Sequence, residues 1–284
     1  QSVEGGAALF LPHFFTGGAL GAGLPPRDDF MLLKLDDAVS WLEPYFKKAP
    51  LELSLVGDFD VQQVERLASK YFDGPEPRNY QPVHRVRADF PKGQQRQFEV
   101  DSSIDKTLVR FGWLTDDFSD IKRTRRLNIV SAVLEDRLRR KIREELGVVY
   151  SPSVYNIPSR IYPGYGVLYA DMIVDHHLVD VVLEAVRQIE SSFGDNPVSE
   201  HELQRAKEPI ITSLKDSVRG NAYWLNSVLS LSSRNADQLD WPPQMIPDYQ
   251  SVEYTEINDL ARFYLRENRR ASALINGEAV GDQS

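Results

Sequence analysis

Apolar residues along the chain change their spacing from one segment to the next, and the changes mark the elements. Val39, Leu42 and Phe46 recur at three- and four-residue steps and predict a helix over residues 36–46. Pro50 then opens an alternating run, Leu51, Leu53 and Leu55, that reads as a strand. The same order returns near the other end, where Thr255 caps a helix carrying Ile257, Leu260, Ala261 and Tyr264 before a strand over 271–275. Setting Tyr45 on Tyr264 gives an offset of 264 − 45 = 219 residues. Two explanations fit: a chance match of common helix–strand pairs, or a long duplication in which the tail of one copy precedes a whole second copy.

Between these ends, Asp60 and Gln63 form a capping box for a helix with Val64, Leu67, Ala68 and Tyr71 on one face, stopped by Asp73-Gly74-Pro75. Residues 75–95 hold Pro75, Pro77, Pro82, Pro91 and Gly93 without periodicity and read as a linker. Strands follow at 96–101 and 106–115. A helix over 119–146 then places Leu127, Val130, Leu134, Leu138 and Ile142 on one stripe, with Gly147 as its stop. Strands at 148–157 and 165–174 flank a Pro163-Gly164 turn, and a helix over 176–193 stacks Val179, Val182, Leu183, Val186 and Ile189. Ser199 and Glu202 box the start of the next helix, which carries Pro209. Early strands, later helices and one closing strand predict an α+β fold, a mainly antiparallel sheet with helices packed on one face. The expected organisation is an extended lead-in over 1–30, a closing helix–strand of a preceding unit with a further helix over 31–74, a linker over 75–95 and a complete unit over 96–284.

Composition narrows the chemistry more than the fold. A 42% hydrophobic content can fill real cores. The 42 acidic and 33 basic side chains, net −9, weigh lightly against nucleic acid. Without cysteine there is no disulfide framework, thiolate nucleophile or cysteine-based zinc site. Residues 1–26 are apolar and glycine-rich, but they lack the cationic start of a signal peptide and are broken by Pro12, His13, Pro25 and Pro26, so they predict neither a signal nor a membrane span.

Arg143 and Tyr150, seven residues apart at the 119–146 helix-to-strand corner, are the candidate site. A guanidinium and a phenol there can grip peptide carbonyls or an oxyanion. The plainer alternative is an arginine favouring the helix dipole and a half-buried strand tyrosine. None of the five histidines stands in a His-x-x-Glu-His or His-Glu-x-x-His pattern. In His201-Glu202-Leu203-Gln204-Arg205 an arginine occupies the second ligand position, and His201 reads as an exposed first-turn residue. His176 and His177 diverge by about 100° on a helix and cannot share a tetrahedral ion unaided. The basic run from Lys122 to Arg143 is interleaved with acids and lacks the aromatics of an RNA-binding face.

Taken in order, Leu53-Ser54-Leu55-Val56-Gly57-Asp58-Phe59-Asp60 with the helix ending Lys70-Tyr71-Phe72, then Arg137 to Tyr150, then Asn221-Ala222-Tyr223-Trp224-Leu225 resemble the non-catalytic half of the insulinase/pitrilysin zinc metallopeptidases, over about residues 30–277. The resemblance implies a duplicated α+β unit of the metalloprocessing-peptidase kind. It also implies a catalytic His-x-x-Glu-His-bearing unit, on the same chain or a partner subunit, that would hold the zinc and complete a peptide-binding cleft. Arg143 and Tyr150 fall on the family's substrate-gripping positions. This segment is then expected to hold no metal or catalytic residue, to bind peptide and not nucleic acid, and to be inactive alone. A purely structural, core-subunit-like domain is the alternative, and the family's habits suggest a bacterial envelope location.

Overall fold

Five strands, β1 (Gln95–Asp101), β2 (Thr107–Thr115), β3 (Ser153–Pro158), β4 (Gly166–Val174) and β5 (Arg270–Glu278), join in the order β1-β5-β2-β4-β3. The computed structural model describes residues 2–72, 86–102, 104–145 and 152–278, apart from the side chains of Glu144, Glu145 and Glu278. Three pairings are antiparallel, β5–β2, β2–β4 and β4–β3, while β1 runs parallel to β5 from Gln95 opposite Ser272. The mainly antiparallel sheet expected from the sequence is therefore present.

Alternation along β2 decides which layer covers each face. Val109, Phe111 and Trp113 are fully buried on one side, where the Trp113 indole Nε1 donates to Glu190 Oε1 at 2.6 Å. Glu190 lies on α6 (Val179–Asp195), which shares that face with α5 (Ile121–Arg139) and α10 (Tyr254–Tyr264). The carboxylate also accepts from Arg270, yet burial raises its pKa above the ordinary range despite both partners. The opposite face, carrying Leu108, Arg110 and Gly112, is covered by a helix where the sequence predicts an extended lead-in. α1 (Val3–Thr16) packs Val3, Ala7, Leu11, Phe14 and Phe15 against Val100, Leu108, Ala271, Ala273 and Ile275.

The lead-in expectation fails for a physical reason. A glycine costs a helix about 0.5–1 kcal/mol, but burying a few large apolar side chains outweighs that. One of those glycines also helps: a Cβ at Gly6 would stand 2.5 Å from Val100 Cγ1, so the bare backbone lets α1 approach the sheet. In the segment after α1, Gly17, Gly18, Gly21 and Gly23 all have positive φ, a conformation that glycine adopts at little cost.

Two compact units divide the chain differently from one break in the 75–95 linker. The first takes the described residues of 1–24, 86–209 and 248–284 and contains the sheet. The second takes those of 25–85 and 210–247. It contains α2 (Arg27–Leu32), α3 (Leu35–Lys48), α4 (Val61–Phe72) and, beyond Pro209, the end of α7 (Glu200–Ser217). α8 (Asn221–Tyr223) and most of α9 (Trp241–Ser251) complete it. α3 and α4 form where the periodicity puts them, and Asp60 caps α4 through Gln63 N at 2.8 Å. Neither helix buries a residue, and Trp41 and Phe46 are 66% and 72% exposed. The strand expected over Leu51, Leu53 and Leu55 is absent; these leucines lie exposed in irregular backbone, because a strand needs a neighbour and no described residue pairs with them. Its counterpart at the other end, β5, is sandwiched between β1 and β2. α10 starts at Tyr254, which places Thr255 inside its first turn rather than at its cap.

Among the described residues no helix is long and apolar enough to cross a membrane.

Candidate functional site

α5 forms because Asp120 caps it, accepting from Arg123 N at 2.9 Å, and because its apolar stripe is inserted fully into the core: Leu127, Val130, Leu134 and Leu138 are at most 1% exposed. Flanking this stripe, Arg125 and Arg126 converge on the Asp248 carboxylate at 2.9 and 2.7 Å, and Arg126 also reaches Glu256. Burial pushes the Asp248 pKa up, but the two guanidinium groups bring it below the ordinary carboxylate value.

At Arg140 the helix widens into a π-helical turn, Arg140–Glu145, instead of continuing as α-helix. Such turns are rare and recur at functional sites. Ile142 continues the buried stripe inward, whereas Arg143 is exposed, with no hydrogen-bond or ion-pair partner among the described residues. Gly147 and Tyr150 lie outside the described residues. The chain re-enters the sheet at Ser153 in β3.

Next in β3, Tyr155 donates its hydroxyl to Asp171 Oδ2 at 2.8 Å, and Arg110 holds the same carboxylate through Nε and Nη2, both at 2.6 Å. Burial, reinforced by Asp171, pushes the Tyr155 phenol up to about 12. The Arg110 guanidinium also stands 5.1 Å over the Tyr169 ring. Arg110 and Asp171 line a cavity of about 460 Å³ with Leu108, Met172 and Ile173. Sequence reasoning passed over this cluster. The signal was one Arg and one Asp, each alone amid the apolar residues of two adjacent strands, which the antiparallel register sets directly opposite each other.

A second cleft, of about 490 Å³, opens where the π-helical turn meets the end of α6 and the start of α7, and Arg137, Arg140, Lys141, His201, Glu202 and Arg205 line it. The expected capping box is complete: Ser199 N donates to Glu202 Oε2 at 3.1 Å and Glu202 N to Ser199 Oγ at 3.2 Å. His201 is exposed in that first turn. Burial raises the Glu202 pKa, but hydrogen bonds from Arg137, Ser199 and Arg140 with the Arg137 charge bring it down to about 2. A carboxylate with a depressed pKa stabilises the fold fully above its unfolded value of about 4.3 and progressively less as the pH falls through the folded value. Acid titration of stability is therefore expected to show a loss between about pH 4 and 2 that Glu202→Gln removes, followed by thermal melting at each pH.

Most of the basic run is paired within the fold: Arg123 with Asp116, Arg137 with Glu202, Arg139 with Glu135 and Arg140 with Asp136. His176 and His177 sit in a short 3-10 turn, both exposed, with His176 Nδ1 3.1 Å from Thr107 Oγ1. Among the described residues no three His, Asp or Glu side chains converge as a metal ion requires.

Residues 33–210 match the model of the peptidase M16 inactive domain. No curated protein matches the chain. Among solved structures, a protease from Helicobacter pylori superimposes with a TM-score of 0.68 at 13% identity, over 90% of this chain and 61% of that one. A peptidase M16 inactive domain from Pseudomonas fluorescens gives 0.62 at 16%, over 81% and 54%. A chain of complex III2 from Candida albicans gives 0.70 at 12%, over 93% and 65%. At such identities the likeness speaks to the fold, and the chain spans about half to two thirds of the length of these structures.

Proposed function

This chain belongs to the peptidase M16 inactive-domain family, and from that premise we propose that it is the substrate-clamping half of a zinc-dependent metalloendopeptidase. Arg143 and Tyr150 would hold a peptide in a cleft completed by a separate His-x-x-Glu-His-bearing unit, in the same chain or a partner subunit. The observation that carries the reading is the exposure of Arg143 on a π-helical turn anchored by the fully buried Ile142, a cation left without an internal partner among the described residues. The zinc, held by the other unit, would activate water for attack on a peptide carbonyl. Arg143 would donate to the substrate backbone or to the developing oxyanion, and the Tyr150 phenol would do the same from seven residues on.

Arg143→Ala in the parent peptidase is expected to lower kcat/KM by at least about tenfold without moving the melting temperature, since the side chain is exposed and makes no hydrogen bond or ion pair among the described residues. A fall in kcat of about 10²-fold would assign Arg143 to the oxyanion. A rise in KM with kcat unchanged would assign it to ground-state binding. Equal losses of melting temperature and activity would overturn the proposal.

A second reading, a purely structural core-subunit-like domain, is favoured by the likeness to a chain of complex III2. It predicts a parent without His-x-x-Glu-His and an Arg143→Ala variant that changes nothing but its own charge.

A further inference from the structure

We propose that the cleft between the π-helical turn and the start of α7 is a recognition site for acidic segments of a polypeptide, a preference that rests on the peptide-handling role above and specifies which peptides are favoured. Four cations line it, Arg137, Arg140, Lys141 and Arg205, against the single carboxylate of Glu202. Asp136 adds one more anion from behind, bonded to Arg205 at 2.6 Å and to Arg140 at 3.2 Å. In a chain whose formal charge is −9, this is a local reversal of sign.

Geometry separates the cations that are fixed from those that can serve a ligand. The Arg137 guanidinium is fully engaged: it bonds both Glu202 oxygens, Ser192 Oγ and the Asn196 carbonyl, and it lies 4.4 Å over the Phe193 ring. It holds Glu202 in place and has little left to offer. Arg140 is different. Only its Nη2 is engaged, at a long 3.2 Å to Glu202 and Asp136, and its buried Nε has no hydrogen-bond partner among the described residues. The Arg140 and Arg205 side chains are 42% and 43% exposed. Two half-exposed guanidinium forks, with the Arg140 Nη1 uncommitted among the described residues, suit a planar carboxylate, which accepts two parallel N–H bonds. The 18-residue α7 adds the positive end of its dipole on the same side. The cleft's 490 Å³ holds a glutamate side chain together with its backbone.

The test is a titration of the whole chain with two blocked peptides that differ only in carrying Glu or Gln, followed calorimetrically at low and high salt. The Glu peptide is expected to bind about tenfold more tightly, with the difference lost at high salt. In the Arg140→Ala/Arg205→Ala double variant the two peptides should bind alike, and Arg205→Ala alone should narrow their difference if the double variant does not fold. If both peptides bind equally to the unchanged protein, the peptide-handling role stands and the cleft assignment alone is overturned. If neither binds, the cleft assignment is overturned, while the peptide-handling role is judged separately by Arg143→Ala in the parent peptidase. If inorganic phosphate binds the cleft more tightly than the Glu peptide, the site selects small anions and the polypeptide assignment is wrong.

Discussion

Asp248→Ala is expected to destabilise the sheet-bearing unit by about 3–5 kcal/mol, the scale for removing one partner from a buried ion pair. The carboxylate is 8% exposed and the Arg125 and Arg126 side chains 6% and 12%, so three charges share one poorly hydrated place between α5 and the start of the last segment of that unit. Taking the anion away deprives two buried guanidinium groups of it, while Arg126 keeps a second carboxylate, Glu256. The cost comes from leaving buried positive charge less compensated rather than from lost attraction alone. Changing Asp248, Arg125 and Arg126 together to apolar residues of similar volume should therefore be much milder. Urea unfolding of the single and triple variants checks both statements, and a single-variant loss below about 1 kcal/mol would show that water already reaches the arginines.

Phe15→Ala should cost about 3–5 kcal/mol, the range for truncating a large buried aromatic. Phe15 is fully buried and packs over Gly112, where a Cβ would sit 2.7 Å from its ring, so ring and glycine are complementary halves of one contact. It also stacks edge-on to Tyr169, with centroids 5.1 Å apart. Because α1 is fastened to the sheet chiefly by such side chains, the variant is also expected to expose residues 3–16 to limited proteolysis while the helical face of the sheet stays protected. Cleavage no faster than in the unchanged chain would mean that Leu11 and Phe14 suffice to hold the helix.

What was legible in the sequence was whatever a local period could encode. The α5 stripe, the two alternating strands around the Pro163-Gly164 turn and the Ser199–Glu202 box each rest on residues within a few positions of one another, and each is present. Elements that depend on distant partners were less legible. α1 meets its apolar partners only in a sheet whose first strand begins at Gln95, and its glycines, judged alone, argued for an extended segment. Leu51, Leu53 and Leu55 have the period of a strand but no described neighbour to pair with. At the candidate site, Arg143 was singled out by its place near the end of the long helix and by the family resemblance. The Arg110–Asp171–Tyr155 cluster did not, because its members meet only through the register of β2, β3 and β4.

Sheet order also bears on how the molecule can be made. β5 is the last of the five strands to leave the ribosome, yet it is the one that joins β1 to the rest, with Gln95 opposite Ser272 and Thr107 opposite Asn276. Until residues 270–278 emerge, a nascent chain can complete only the three-stranded β2-β4-β3 part of the sheet. β1 must wait without a neighbour through the synthesis of well over a hundred residues, so vectorial folding cannot close this sheet and its assembly is necessarily a late, long-range event.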